Sequence, residues 1–226
     1  MYATSWTGAY AGVSLGLGGE NTKATTNVSL INTSSTNTLI AGDRQFGAGG
    51  NADLFIGYNK QIHDWVGGVQ LEGTLARFNE RLARTSTEGS APTLTSSSQF
   101  DTLSQNWAVT AAARLGRLVT AHDLIYGLAG WSFANFSTTL DSTGAGTFNT
   151  SGPTVGIGWE RQLADQWTMR AEYRYTHFFD KTLATSSSSS STDNAGHSST
   201  SSATSQTGIS ADSHIVRFGV ARAFEW

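Results

Sequence analysis

Cysteine is absent and proline occurs only twice in 226 residues. Without cysteine there is no disulfide framework and no thiolate metal site, which is compatible with passage through an oxidising periplasm. Charged residues make up 14% of the chain, and 14 basic against 17 acidic side chains leave a net charge of −3. No basic patch is available to neutralise phosphates, so nucleic acid is excluded as a partner. No apolar run reaches the ~18 residues that a membrane helix needs, and long helical patterns are missing. The opening Met1-Tyr2-Ala3-Thr4-Ser5 has no basic segment followed by an apolar one, so no signal peptide is read here.

What is present is 25 glycines, 11% aromatic residues, an abundance of Ser and Thr, and alternation at a period of two. Eight stretches alternate apolar residues with small or polar ones: Trp6–Gly18, Phe46–Lys60, Trp65–Ala76, Gln105–Val119, Leu124–Phe136, Pro153–Arg161, Trp167–His177 and His214–Trp226. Such alternation marks strands with two unlike faces. In the first, Ala9, Ala11, Val13, Leu15 and Leu17 share one face, while Tyr10 and a series of Gly and Ser share the other. The fifth is ambiguous, because Leu124, Tyr126 and Leu128 compete with Ile125, Ala129, Trp131 and Phe133 for the apolar face; a bulge could switch it midway. The connections Gln61–Asp64, Thr120–Asp123 and Leu163–Gln166 are short, whereas regions around 19–45, 77–104, 137–152 and 178–213 are long and rich in Ser, Thr, Asn and Gly.

The charged residues decide which face is inside. Asp53, Glu72, Glu160 and Glu172 and the bases Arg114, Arg170, Arg174 and Arg217 all fall opposite the apolar face. In a soluble barrel the aliphatics would line the interior. Here they occupy the face away from the charges, which is the pattern of a barrel dissolved in lipid. An outward charge there would cost about 2–4 kcal/mol at mid-depth. Arg222 has outward parity but lies near the chain's end, where a long side chain snorkels to water. Tyr58, Trp65, Tyr126, Trp159, Trp167, Phe224 and Trp226 gather at the short-turn end and read as an aromatic girdle at headgroup depth. The expected fold is therefore all-β: an eight-stranded antiparallel transmembrane β-barrel with short periplasmic turns and long extracellular loops, one domain over residues 1–226. A barrel of this kind is exported, so the chain reads as a mature form in the bacterial outer membrane.

Paired carboxylates also suggest acid–base catalysis. Four acids against four arginines in a barrel only wide enough for its own side chains read instead as a salt-bridge plug. His177 and His214 have outward parity near the extracellular rim, but no third metal ligand accompanies them; His63 and His122 belong to short turns. No metal, cofactor or catalytic residue is expected, and the chain is read as not an enzyme.

The chain resembles a known family. Trp6-Thr7-Gly8-Ala9-Tyr10-Ala11-Gly12 looks like the opening of the small outer-membrane β-barrel proteins of Gram-negative bacteria, often labelled porin family. Gly152 to Glu160 and Gln166 to Tyr175 are similar to that family's sixth and seventh strands, and His214 to Val220 to its last. The family usually ends in Phe, where this chain has Trp226. The resemblance implies a surface antigen or envelope-stabilising component, with channels, adhesins and haem binders among some members. The function expected is that of a structural surface barrel, an envelope component whose loops make contacts, in an ordered assembly; the alternative is a small-solute porin, or an adhesin or ligand-binding surface protein. Its expected partners are outer-membrane lipid and lipopolysaccharide, the barrel-assembly machinery through the C-terminal strand, and a second copy or another surface component. Residues 184–207, nearly pure Ser, Thr, Gly, Asn and Ala, belong to the loops expected to continue the strands above the membrane.

Overall fold

The computed structural model describes residues 5–32, 35–88, 95–140, 144–163, 166–192 and 198–224. Eight strands follow one another: β1 (Gly8–Asn32), β2 (Ser35–Ile62), β3 (Trp65–Glu88), β4 (Thr95–Leu118), β5 (Asp123–Leu140), β6 (Gly144–Gln162), β7 (Trp167–Thr192) and β8 (Ser198–Phe224). Each pairs antiparallel with the next, and β8 returns to β1 to close the barrel. Closure leaves no sheet edge in lipid, where an unpaired backbone group has no water to turn to.

The two faces separate as the alternation requires. Leu15, Leu17 and Leu75 are 70, 75 and 70% exposed, a cost in water that disappears when the solvent is lipid. Val13, Leu54, Ile56, Val69, Leu115, Ile157 and Phe218 join them on the outside, while every second residue between them points in. Because the side-chain period is two, a slip of one residue would put the whole charged set into lipid. Fluorophores attached to single cysteines at Leu15, Ala171 and Tyr173 should accordingly be quenched by lipid-borne quenchers, and one at Ser132 should not. Quenching at Ser132 alone would invert the assignment.

β5 resolves in one direction along its length. Ile125, Trp131 and Phe133 are exposed, whereas Leu124, Tyr126, Leu128, Ala134 and Phe136 are buried. No bulge switches the face of β5; the irregularity beside it is the extra residue Asn106 in β4, between Gln105 and Trp107. The placement of Tyr126 in an outer girdle is therefore corrected. Its ring is 2% exposed and lies inside the barrel. Both faces of this strand are apolar because its inner residues form the floor of the lumen with Trp6, Val66 and Ala112.

The turns at one end are short. His63 takes a positive φ of 55° in the β2–β3 turn and Gln166 one of 66° in the β6–β7 turn, and Thr120 caps the β4–β5 turn by accepting from the Asp123 amide at 3.0 Å. At the other end much of what reads as long loops is strand. The β1–β2 ladder runs up to Asn32 and Ser35, β1–β8 to Ile31 and Ser202, and β7–β8 to Thr192 and Ser198. The β2–β3 ladder stops at Gly49–Phe78 and β6–β7 at Thr154–Thr176. Among the described residues, β7, β8, β1 and β2 thus continue above the barrel as one four-stranded sheet.

Candidate functional site

Every second residue of the eight strands faces the lumen, and the charged ones, drawn from six of those strands, meet at mid-barrel. All eight ionic side chains singled out in the sequence are buried there, between 2 and 4% exposed. They form two linked groups. Towards the periplasmic end, Glu160 of β6 accepts from Arg114 of β4 (Nη2, 2.8 Å) and from Arg170 of β7 (Nε, 2.9 Å). Further along, Glu72 of β3 accepts from Arg174 at 2.7 Å and from Arg217 of β8 at 2.6 Å. Glu172 accepts from Arg174 at 2.6 Å. Asp53 of β2 lies 3.3 Å from Arg217 and accepts from the hydroxyls of Ser14 and Thr74, each at 2.7 Å.

Neutral side chains join the two groups. Gln70 accepts from Tyr10 and Arg170 through its carbonyl and donates to Glu72 at 3.1 Å. Tyr126 donates to Glu172 at 2.8 Å, while its ring lies 4.0 Å beneath the Arg114 guanidinium. Arg170 sits over the ring of Phe55 at the same distance. Desolvated cation–π contacts of this kind add attraction where water is excluded. The roles of Tyr10, Gln70, Ser14 and Thr74 were not read from the sequence, although their inward parity was the available signal.

The rings fit because glycines stand opposite them. Gly57 is the register partner of Tyr10, Gly12 that of Phe55, and Gly158 that of Tyr126. A Cβ at any of the three would collide with the facing ring. Apolar clusters flank the charged layer on both sides. Ala108, Ala134, Phe136, Phe178 and Ala211 pack together on the extracellular side, and the Trp6, Leu124 and Leu128 floor lies on the periplasmic side. Beside that floor, a cavity of about 30 Å³ lined by Trp6, Tyr10, Asn59, Glu160 and Arg170 holds no more than a water or two.

Of the residues assigned to the girdle, Tyr58, Trp65, Trp167 and Phe224 are 50, 52, 43 and 45% exposed on the outer wall, and Trp159 is half-buried on the same face. Trp226 lies outside the described residues. At the extracellular rim, His177 faces Asp212 at 2.7 Å and His214 faces the Tyr173 hydroxyl at 2.8 Å. Asp212 also accepts from Tyr175 at 2.7 Å. No group of three or more metal-ligating side chains occurs among the described residues. Next to this patch Asn106, Asn135 and Asn149 hydrogen-bond in a row across β4, β5 and β6, a polar border above Trp107 and Phe133.

Comparison with known proteins agrees with this geometry. A family model described as the outer membrane protein beta-barrel domain matches residues 1–224, and the chain belongs to that family. It is 26% identical over 190 residues to the 31 kDa outer-membrane immunogenic protein of Brucella melitensis, across 79% of this chain and 74% of that one. The Brucella suis protein of the same description matches equally. Among solved structures, the outer-membrane protease OmpT of Escherichia coli aligns with a TM-score of 0.50 at 13% identity, covering 96% of this chain and 97% of its own. That likeness concerns the fold alone. The protein is thus a β-barrel of the bacterial outer membrane.

Proposed function

We propose that this barrel is a structural surface component of the envelope: it anchors in the outer membrane, carries β-hairpins outward, and makes contacts there without turnover, cofactor or bulk transport. The observation that carries this reading is the filled lumen. Each of the eight mid-barrel charges has an opposite charge within 2.5–3.3 Å, and apolar clusters pack towards both ends of the set. Carboxylates held in this way are engaged by arginines and shut off from substrate. Recording across planar bilayers should therefore give no stable conductance, and stepwise openings would favour the small-solute channel.

The contacts are assigned to the extension. Above Gly49 on β2 and beyond Phe179 on β7, where β6 makes its last contact through Thr150, the four-stranded sheet has backbone edges with no ladder partner among the described residues. Such edges accept a further strand. The proposed partners are a second copy or another surface component, with lipid and lipopolysaccharide around the wall and the assembly machinery engaging β8 during insertion. The immunogenic description of the Brucella relative suits a protein that shows its outer face. Cross-linking in native membranes should capture multimers that vanish when residues 184–207 are deleted. A monomer with unchanged surface organisation after that deletion would remove the assembly from this proposal.

A further inference from the structure

The periplasmic rim carries a feature that neither the plug nor the hairpins use. Each strand that descends to the periplasm ends with one outward-facing basic residue: Lys60 on β2, Arg117 on β4, Arg161 on β6 and Arg222 on β8. All four are exposed, and each stands within two residues of its strand's last residue, Ile62, Leu118, Gln162 or Phe224. Alternation around a closed barrel spaces them on every second strand, so they encircle the wall. Aromatics separate them. Arg117 is the register partner of Trp65 and Arg222 that of Trp167, while Lys60 and Arg161 stand two residues beyond Tyr58 and Trp159 on the same faces. The described acids at this level are Asp64 and Asp123. Asp123 approaches Arg161 only to 3.8 Å and leaves that side chain 53% exposed.

One sector of the ring adjoins a trough in the apolar wall. Ala9 of β1 lies in register between Phe224 of β8 and Tyr58 of β2, so a methyl group separates two large rings. The trough continues over Ala11 and is walled by Ile56, Tyr58, Leu71 and Phe224. Lys60 shares a face with Tyr58, and Arg222 shares one with Phe224. An apolar slot about as wide as one strand, with Lys60 two residues beyond its mouth at Tyr58 and Arg222 on its flank in register with Ala11, has the chemistry of a phospholipid: a chain along the wall and a phosphate at the cations.

We infer that the basic ring selects anionic phospholipids of the inner leaflet, with phosphate groups at Lys60, Arg117, Arg161 and Arg222 and one acyl chain seated in the Ala9–Ala11 trough. Long basic side chains at an interface keep their stems along apolar wall and their charges at the headgroups. Aromatic neighbours at the same depth hold the barrel's vertical position, so the charges meet the phosphates and not the hydrocarbon. This ring sits on the barrel itself, and neither the hairpins nor the lumen is needed for it.

The test is lipid selectivity of the folded full chain in reconstituted membranes, read with spin-labelled lipids. Labelled phosphatidylglycerol should be retained at the wall severalfold over phosphatidylcholine and phosphatidylethanolamine. The preference should fall to parity in K60Q/R117Q/R161Q/R222Q, and Ala9→Phe should release the most strongly immobilised chain while sparing headgroup selectivity. If the quadruple variant does not fold, a salt series on the unaltered protein replaces it, since exposed charges are screened within a Debye length; a preference that salt does not weaken overturns the inference. So does equal retention of phosphatidylethanolamine, which carries the phosphate without net charge, or a quadruple variant that folds and keeps the selectivity. Conductance and oligomeric state should not respond to these changes, so failure here is distinguishable from failure of the structural role.

Discussion

Glu72→Leu should destabilise the folded barrel by about 3–5 kcal/mol, the range seen when one partner of a buried ion pair is removed. Glu72 is 2% exposed and holds Arg174 at 2.7 Å and Arg217 at 2.6 Å. Its removal leaves Arg174 with Glu172 as its one carboxylate, and Arg217 with Asp53 at 3.3 Å and Glu172 at 3.8 Å. Both arginines are themselves buried, 3 and 2% exposed. The Thr74 and Gln70 side chains lose an acceptor as well. Urea unfolding in lipid, followed by the shift in mobility between folded and heated protein, measures the loss. Arg174→Leu in the Glu72→Leu background should restore part of it, because one stranded cation goes. A midpoint unchanged by Glu72→Leu would mean that the plug contributes nothing to stability.

Gly158→Val should be the second severe substitution. The added side chain has to occupy the space of the Tyr126 ring, which β5 presses against β6 at that register position. Overpacking of this kind costs about 1–3 kcal/mol. If the ring moves, its hydroxyl leaves Glu172 and its face leaves Arg114. The lost bond to a charged group is worth about a further 1.5–3 kcal/mol. A double-mutant cycle separates the two effects. Tyr126→Ala in the Gly158→Val background should cost much less than Tyr126→Ala alone, since the collision is then relieved. Additive losses would show that the ring and the glycine do not share that space.

These two sites mark the boundary of what the chain discloses by itself. Alternation at a period of two is a local property, and it was enough to orient seven of the strands and to place Glu72, Arg174 and the other charges inside. The short turns and the lipid-facing aliphatics follow from the same pattern. Tyr126 was misplaced because β5 is apolar on both faces. Its inner residues pack as the floor of the lumen, and periodicity cannot separate a lipid-facing leucine from one that faces a lumen lined with leucine. The opposed Gly158 was the missing signal, but a partner in register is known only once the strands are paired. Pairing also decided which charges meet. Glu72 on β3 and Arg217 on β8 are 145 residues apart in sequence and touch across the lumen only because closure and tilt bring those heights together. The Ser- and Thr-rich regions carry no amphipathic pattern of their own. Their strands exist because the hairpins continue a register set in the barrel below, and that register belongs to the closed sheet, not to any one segment of the chain.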